Sequence, residues 1–240
     1  MKFFLFVLGI LLSTAVFSQA SVLDSITIKE LARALVEPNY IIGVYKCPDD
    51  TDPLRMTDNN IIPELDTDYI NEVIQLNIIK LDRNEMIKGT TDSLIFVPIP
   101  EVSGHSDPPT FFSIPGSKWL LLLKPVFIDG TAVVLWLPNK SEQDNKNYIN
   151  STTLFEISGE KGSFCIDKGK DGGFDIDEFI IQIDEDFVTQ IKALSNVIAG
   201  MEALKQIEQV EKLRKYAGQS KSSQISAIIN QIIANYEVEK

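Results

Sequence analysis

The clearest metal-binding chemistry in this chain lies in Asp167–Glu178, DKGKDGGFDIDE. A calcium loop of the EF-hand type sets oxygen ligands at positions 1, 3, 5, 7, 9 and 12, with glycine at 6 and a bidentate glutamate at 12. Counted from Asp167, Asp171 falls at 5, Gly172 at 6, the Gly173 carbonyl at 7, Asp175 at 9 and Glu178 at 12. Position 3 is Gly169 rather than an acid or amide, and Lys168 and Lys170 offset part of the negative charge. The residues before the loop read as a strand instead of an incoming helix. The competing reading is a β-hairpin, with Phe164 and Ile166 alternating into a turn at Lys168–Gly173 and Phe174 and Ile176 alternating out of it. Isolated loop matches are common in acidic chains, so the hairpin is the stronger reading. Calcium is the one cofactor the sequence offers.

Other residues carry weaker signals. Phe111 and Phe112 sit in a proline-rich stretch, where exposed aromatics can anchor a partner or fold back onto a barrel mouth. His105 is the one histidine, so no histidine cluster exists for zinc. Its neighbours Ser106 and Asp107 are too close in sequence to converge on it as a triad. There is no Gly-x-Ser-x-Gly elbow and no phosphate loop. The many carboxylates could supply the acid pair of a hydrolase, but their spacing selects no pair.

The start of the chain sets the compartment. Lys2, the apolar run Phe3–Val16 and the small residues at Ser18 and Ala20 make a secretory signal peptide over residues 1–20. The expected location is therefore periplasmic or extracellular. No later apolar run is long enough to span a bilayer. In such a compartment the two cysteines, Cys47 and Cys165, are expected to form a disulfide, worth about 4–5 kcal/mol in the chain-entropy model. The formal charge is −12, and −13 once Lys2 is removed with the peptide. That balance excludes nucleic acid and anionic membrane as partners, since both need basic patches.

The elements that would position these residues follow from local pattern. Ser21–Val36 reads as a short helix, with Thr27 and Glu30 spaced as a capping box. Tyr40–Cys47 reads as a strand. Pro48–Asp68 is an acidic loop with three prolines and a lone Arg55. Ile74, Leu76 and Ile78 alternate as a half-buried strand, and Ile79 and Leu81 shift its phase as a bulge would. Leu94–Ile99 is a further strand, and Pro100–Gly116 is the second long loop. Lys118–Val126 and Thr131–Leu137 flank Asp129-Gly130, a hairpin signal. Thr153–Ile157 and Ser163–Ile166 follow. After Asp184 proline disappears and the apolar period turns helical, from Phe187 to Val210 and again from Ile225 to Tyr236, with a break at Gly218–Ser220. Asp184, Glu185 and Asp186 suit a helix start, and Gly200 is placed to split the first helical run.

Four segments bear a family resemblance: LARALVEPNYIIGV from Leu31, QLNIIKLDRNEMIKG from Gln75, PGSKWLLLLK from Pro115 and SFCI from Ser163. In that order they resemble the oligonucleotide/oligosaccharide-binding (OB) barrel of exported bacterial proteins, in the version related to netrin-like and metalloprotease-inhibitor domains. Those inhibitors chelate the protease metal with an N-terminal cysteine. The mature chain here starts near Ser21 and its first cysteine is Cys47, so the inhibitor function does not transfer. The expected fold is α+β: a signal peptide at 1–20, an OB-like β-barrel with an N-terminal helix at 21–183, and a C-terminal helical hairpin at 184–240. The expected function is a non-enzymatic binding module for a protein or glycan partner. A calcium-binding module and a carboxylate-based hydrolase are the alternatives.

Overall fold

In a computed structural model of the protein, the run Trp119–Leu123 becomes the middle of a curled antiparallel sheet. The structure describes residues 23–48, 54–55, 77–99, 115–128, 131–132, 134–138, 149–158, 162–169, 180–201 and 207–238. Within them the order is α1 (Ser25–Val36), β1 (Ile41–Lys46), β2 (Leu54–Arg55), β3 (Asn77–Lys88), β4 (Leu94–Ile99) and β5 (Lys118–Pro125). It continues with β6 (Phe127–Ile128), β7 (Thr131–Ala132), β8 (Val134–Pro138), β9 (Ile149–Thr153), β10 (Phe155–Ile157) and β11 (Ser163–Asp167). Helices α2 (Glu185–Ala199), α3 (Ile207–Gln219) and α4 (Ser223–Val238) close the chain. The protein is mixed α and β, as its sequence pattern indicates. None of the described helices is long and apolar enough to cross a membrane.

Alternation along β1 and β5 divides the interior into two cores. Ile42, Val44, Leu120, Leu122 and Phe164 point to one face, where they meet Leu31 and Leu35 of α1, Phe187, Ile191 and Leu194 of α2, Leu213 of α3, and Ile228, Ile229 and Ile232 of α4. Tyr45, Trp119, Leu121, Leu123 and Cys165 point to the other face, inside the curl, with Leu81, Ile95, Val97 and Phe155. Both faces of β5 are therefore buried, and it reads as an unbroken apolar run with no polar side. The helices after Asp184 share their core with α1 and the sheet.

The sheet bends where its pairing shifts. β3 is a long strand that pairs β4 through Asn77–Asp82 and β1 through Asp82–Lys88. Two register shifts against β1, after Ile42 and after Val44, fall opposite Met86–Lys88 and Arg83–Glu85, and extra residues of this kind curl a strand. They lie C-terminal to the phase change seen in the sequence at Ile79–Leu81. Gly43 sits at the bend, where a Cβ would lie 2.8 Å from the Tyr45 ring, so its bare backbone is what lets that ring lie flat inside the curl. Burial there pushes the Tyr45 hydroxyl above its ordinary pKa, against the opposing hydrogen bond to Thr91 Oγ1 at 3.3 Å.

Local signals at the helix starts resolve differently. Asp184 caps α2, its Oδ1 accepting the Phe187 N–H at 2.7 Å. α2 ends at Gly200, so the first helical run is two helices. The cap of α1 is Asp24, whose Oδ1 accepts the Thr27 N–H at 2.7 Å, so the capping box expected at Thr27 does not form. The Asp129-Gly130 hairpin is short, pairing Phe127 with Ala132 and Ile128 with Thr131. β5 pairs with β1 instead of the strand after that turn, and β8 pairs with β9.

Lys88 fastens α1 to the sheet. At the end of β3 its ammonium donates to the Ala34 carbonyl at 2.6 Å and to the Glu37 carbonyl, the last acceptors of the helix. Burial lowers its pKa to about 8, against the opposing pull of Glu37. Above pH 8 the folded state gives up this proton before the unfolded chain does at 10.5. The unfolded chain then binds more protons across that window, so this residue makes stability rise with pH between about 8 and 10.5. Denaturant melts at pH 7.5 and 10 should show that slope in the wild type. Lys88→Met should be less stable at both pH values but lack this contribution; equal pH slopes would contradict it.

Candidate functional site

Three segments singled out by the sequence start and end at one end of the sheet. Lys46, at the end of β1, pairs with Lys118 at the start of β5. Just beyond them the Cys47 N–H donates to the Ser117 carbonyl at 2.9 Å, and the Gly116 N–H donates to the Cys47 carbonyl at 3.0 Å. Asp167, at the end of β11, pairs with the same Lys118. Asn77 and Ile99, which pair where β3 begins and β4 ends, lie farther along in the same direction. The chain between β1 and β3, the chain between β4 and β5 and the chain leaving β11 are therefore anchored on a common rim. At the opposite end two connections are short, over 37–40 between α1 and β1 and over 89–93 between β3 and β4, and a long one, residues 126–154 with β6–β9, joins β5 to β10.

The segments that leave from this rim carry the charge of the sequence. Residues 48–76 carry eight acids against Arg55, residues 100–116 carry Glu101 and Asp107 and no lysine or arginine, and residues 167–180 carry five acids against Lys168 and Lys170. These fifteen acids and three bases account for the whole formal charge of −12; the remainder holds nineteen of each. α2 also begins near the rim, where Lys118 Nζ meets Glu185 Oε1 at 2.6 Å. That pair is exposed and adds little stability.

Of the calcium-loop residues, Asp167 is described; Asp171, Gly173, Asp175 and Glu178 lie outside the described residues, as do Phe111, Phe112, His105 and the signal peptide. Asp167 Oδ1 accepts the Gly169 N–H at 3.0 Å, a turn closed by its own side chain. Gly169 has φ +75°, and a Cβ there would lie 2.5 Å from the Pro115 carbonyl, so this exit is pressed against the start of β5. Ahead of α2, Gln182 bridges Cys165 in parallel, with Cys165 N–H donating to the Ile181 carbonyl and Ile183 N–H to the Cys165 carbonyl, both at 2.9 Å. Among the described residues no group of three His, Cys, Asp or Glu side chains is placed to hold a metal.

Cys47 and Cys165 are both buried in the interior core, and no disulfide joins them. Cys47 lies beside Ser117 on one flank of β5, and Cys165 pairs with Trp119 on the other. Two strand spacings of about 4.8 Å separate such positions, beyond the Cα distance of roughly 4.4–6.8 Å that a disulfide spans. In this structure β5 runs between the two cysteines that the sequence suggested as a bridge. Intact-mass measurement after alkylation in denaturant, without reductant, should show two modified cysteines. A mass without added alkyl groups would overturn this geometry.

The polar cluster that sequence reasoning missed joins α1 to the sheet. Glu30 Oε1 accepts the Ser158 hydroxyl at 2.6 Å and the Tyr40 hydroxyl at 2.9 Å, and the two hydroxyl oxygens are 3.2 Å apart. Lys124 Nζ stands 4.1 Å from the Tyr40 ring centroid. A serine against a carboxylate is a nucleophile's arrangement, but Tyr40 is 0% and Ser158 5% exposed, so no substrate reaches the hydroxyl while α1 is docked. The cluster works as a clamp. Ser158 opens a small excursion between β10 and β11, which are otherwise one strand along β5: Ser158 N–H donates to the Leu122 carbonyl and Leu122 N–H to the Gly162 carbonyl, both at 2.8 Å. Glu30, Tyr40 and Ser158 come from three separate elements, and no linear spacing relates them.

No protein-family model matches this chain, and neither a curated protein nor a solved structure is significantly similar to it.

Proposed function

We propose that this chain is an exported, non-enzymatic binding module built on an OB-like barrel, and that its working surface is the acidic rim. The observation that carries this reading is the common anchoring of residues 48–76, 100–116 and 168–180 at one end of the sheet, where Lys46, Lys118 and Asp167 meet in register. Long segments rooted on a rigid scaffold are where proteins place recognition, and three are rooted on this rim. The partner is a protein or glycan with basic or cationic groups, because the three segments together carry the entire net negative charge. Cross-linking in the native cells, with partners identified by mass spectrometry, tests this. Capture should fall in the Phe111→Ala/Phe112→Ala variant and in the Asp49→Asn/Asp50→Asn/Asp52→Asn variant. Undiminished capture by both would remove the rim from the argument.

A calcium-dependent rim is the second reading, favoured by the placement of Asp167 and the start of its segment beside the other two. Calcium would screen the repulsion among the carboxylates that follow. Thermal melts with millimolar calcium and with chelator separate the two readings: a rise in melting temperature that is lost in Asp175→Asn/Glu178→Gln supports calcium, and coincident melts exclude it.

A further inference from the structure

The elbow between α3 and α4 forms an open groove with α2. It has a volume of about 210 Å³ and is lined by Gln190, Tyr216, Gln219, Ser220, Lys221 and Ile225. It shares no residue with the rim. Ile225 belongs to the helix-side core and gives the groove an apolar floor, with the half-buried Tyr216 beside it. Ser220 Oγ is committed to the turn, donating to the Ser222 carbonyl at 3.3 Å and accepting the Ser222 N–H at 3.2 Å. The polar ends of Gln190, Tyr216, Gln219 and Lys221 form no hydrogen bond or ion pair with any described residue. Four uncommitted polar groups thus line one small concavity. The local charge is opposite to the rim's: from Lys212 to Tyr236 there are Lys212, Arg214, Lys215 and Lys221 and no acid.

These groups select a ligand by their chemistry. Two primary amides each donate and accept, which matches hydroxyl groups. A tyrosine ring beside an aliphatic floor suits the C–H face of a saturated ring. The one ammonium in the lining calls for an anionic substituent. The volume is below the roughly 300–1,000 Å³ of sites for drug-sized ligands, so a single ring is the right scale. A simple oxyanion would leave the ring and floor unused, and an apolar ligand would bury the amides unpaired. We propose that this groove binds one hexuronate unit of an acidic glycan, with the pyranose on Tyr216, its hydroxyls on Gln190 and Gln219, and its carboxylate on Lys221.

Amide-resolved NMR titration of the purified protein with sodium glucuronate, glucose and inorganic phosphate tests the proposal. Glucuronate should give saturable shifts confined to the groove, with a millimolar Kd, and glucose should bind about fivefold more weakly for lack of the charge. Lys221→Gln, an exposed position that leaves the core untouched, should weaken glucuronate by about the same factor and leave glucose unchanged. Tyr216→Ala should weaken both sugars by about tenfold. Absence of saturable glucuronate shifts at tens of millimolar would overturn the proposal. So would shifts from phosphate equal to those from glucuronate, or a Lys221→Gln variant that binds glucuronate as the wild type does. None of these results bears on the rim, whose capture experiment stands separately.

Discussion

Replacing Trp119 by alanine should destabilise the protein by about 4 kcal/mol, because truncating a fully packed aromatic removes its transfer free energy and leaves a cavity. Trp119 is 2% exposed and is among the largest fully buried side chains. It faces the interior of the curl, with Tyr45 opposite it on β1 and Cys165 opposite it on β11. Its indole N–H donates to Ser117 Oγ at 2.7 Å, so the ring also holds the residue that pairs with Cys47 at the rim. A loss of this size is a large part of an ordinary folding free energy of roughly 5–15 kcal/mol, and should lower the melting temperature by roughly 8–16 °C. Far-UV circular dichroism in urea measures it without relying on tryptophan emission. Trp119→Phe keeps most of the buried area and loses the indole bond, and should cost only about 1 kcal/mol. An alanine variant within about 1 kcal/mol of wild type would mean that this interior is not packed as described.

Glu30→Ala should cost about 3 kcal/mol and roughly 6–12 °C in melting temperature. The carboxylate is the shared acceptor of two buried hydroxyls, and hydrogen bonds to a charged acceptor are the stronger kind. Its removal leaves Tyr40 and Ser158 with only each other at 3.2 Å. Glu30→Gln keeps an acceptor oxygen and should cost about 1 kcal/mol. Because the residues act together, Glu30→Ala combined with Tyr40→Phe should cost less than the sum of the two single changes. Additive costs would show that Glu30 and Tyr40 act independently and that the clamp is not a unit. Loss of the clamp should also raise amide exchange across α1 before it affects β5, since α1 is the element it fastens.

Much of this architecture is written in short-range pattern. The apolar run Tyr40–Cys47 marks β1, and the acidic start at Asp184 and the break at Gly200 set the ends of α2. Such signals act over a few residues, through backbone geometry and burial of one face, and the chain states them directly. The α+β class and the gathering of acids between Pro48 and Asp68 are legible for the same reason.

The partners of these elements are another matter. Trp119–Leu123 is apolar at every position, so neither face of β5 is marked, and register is specified only where one face differs from the other. The Asp129-Gly130 turn signals a local hairpin, yet β5 gains more by lying between β1 and β11, where both faces are covered. That long-range choice puts β5 between Cys47 and Cys165 and holds the thiols apart. It also brings the ends of β1, β4 and β11 to one rim, so that three segments far apart in sequence are rooted together. Glu30 shows the same limit in a single side chain. Its spacing from Thr27 suits a capping box, but Asp24 takes the cap, and Glu30 is left to meet Tyr40 and Ser158, which reach it only once the sheet has formed. The sequence alone determined the charge and most of the element types. Tertiary structure decided which strands pair, which strand ends share the rim and which polar groups close the clamp, because those depend on burial shared between residues far apart in the chain.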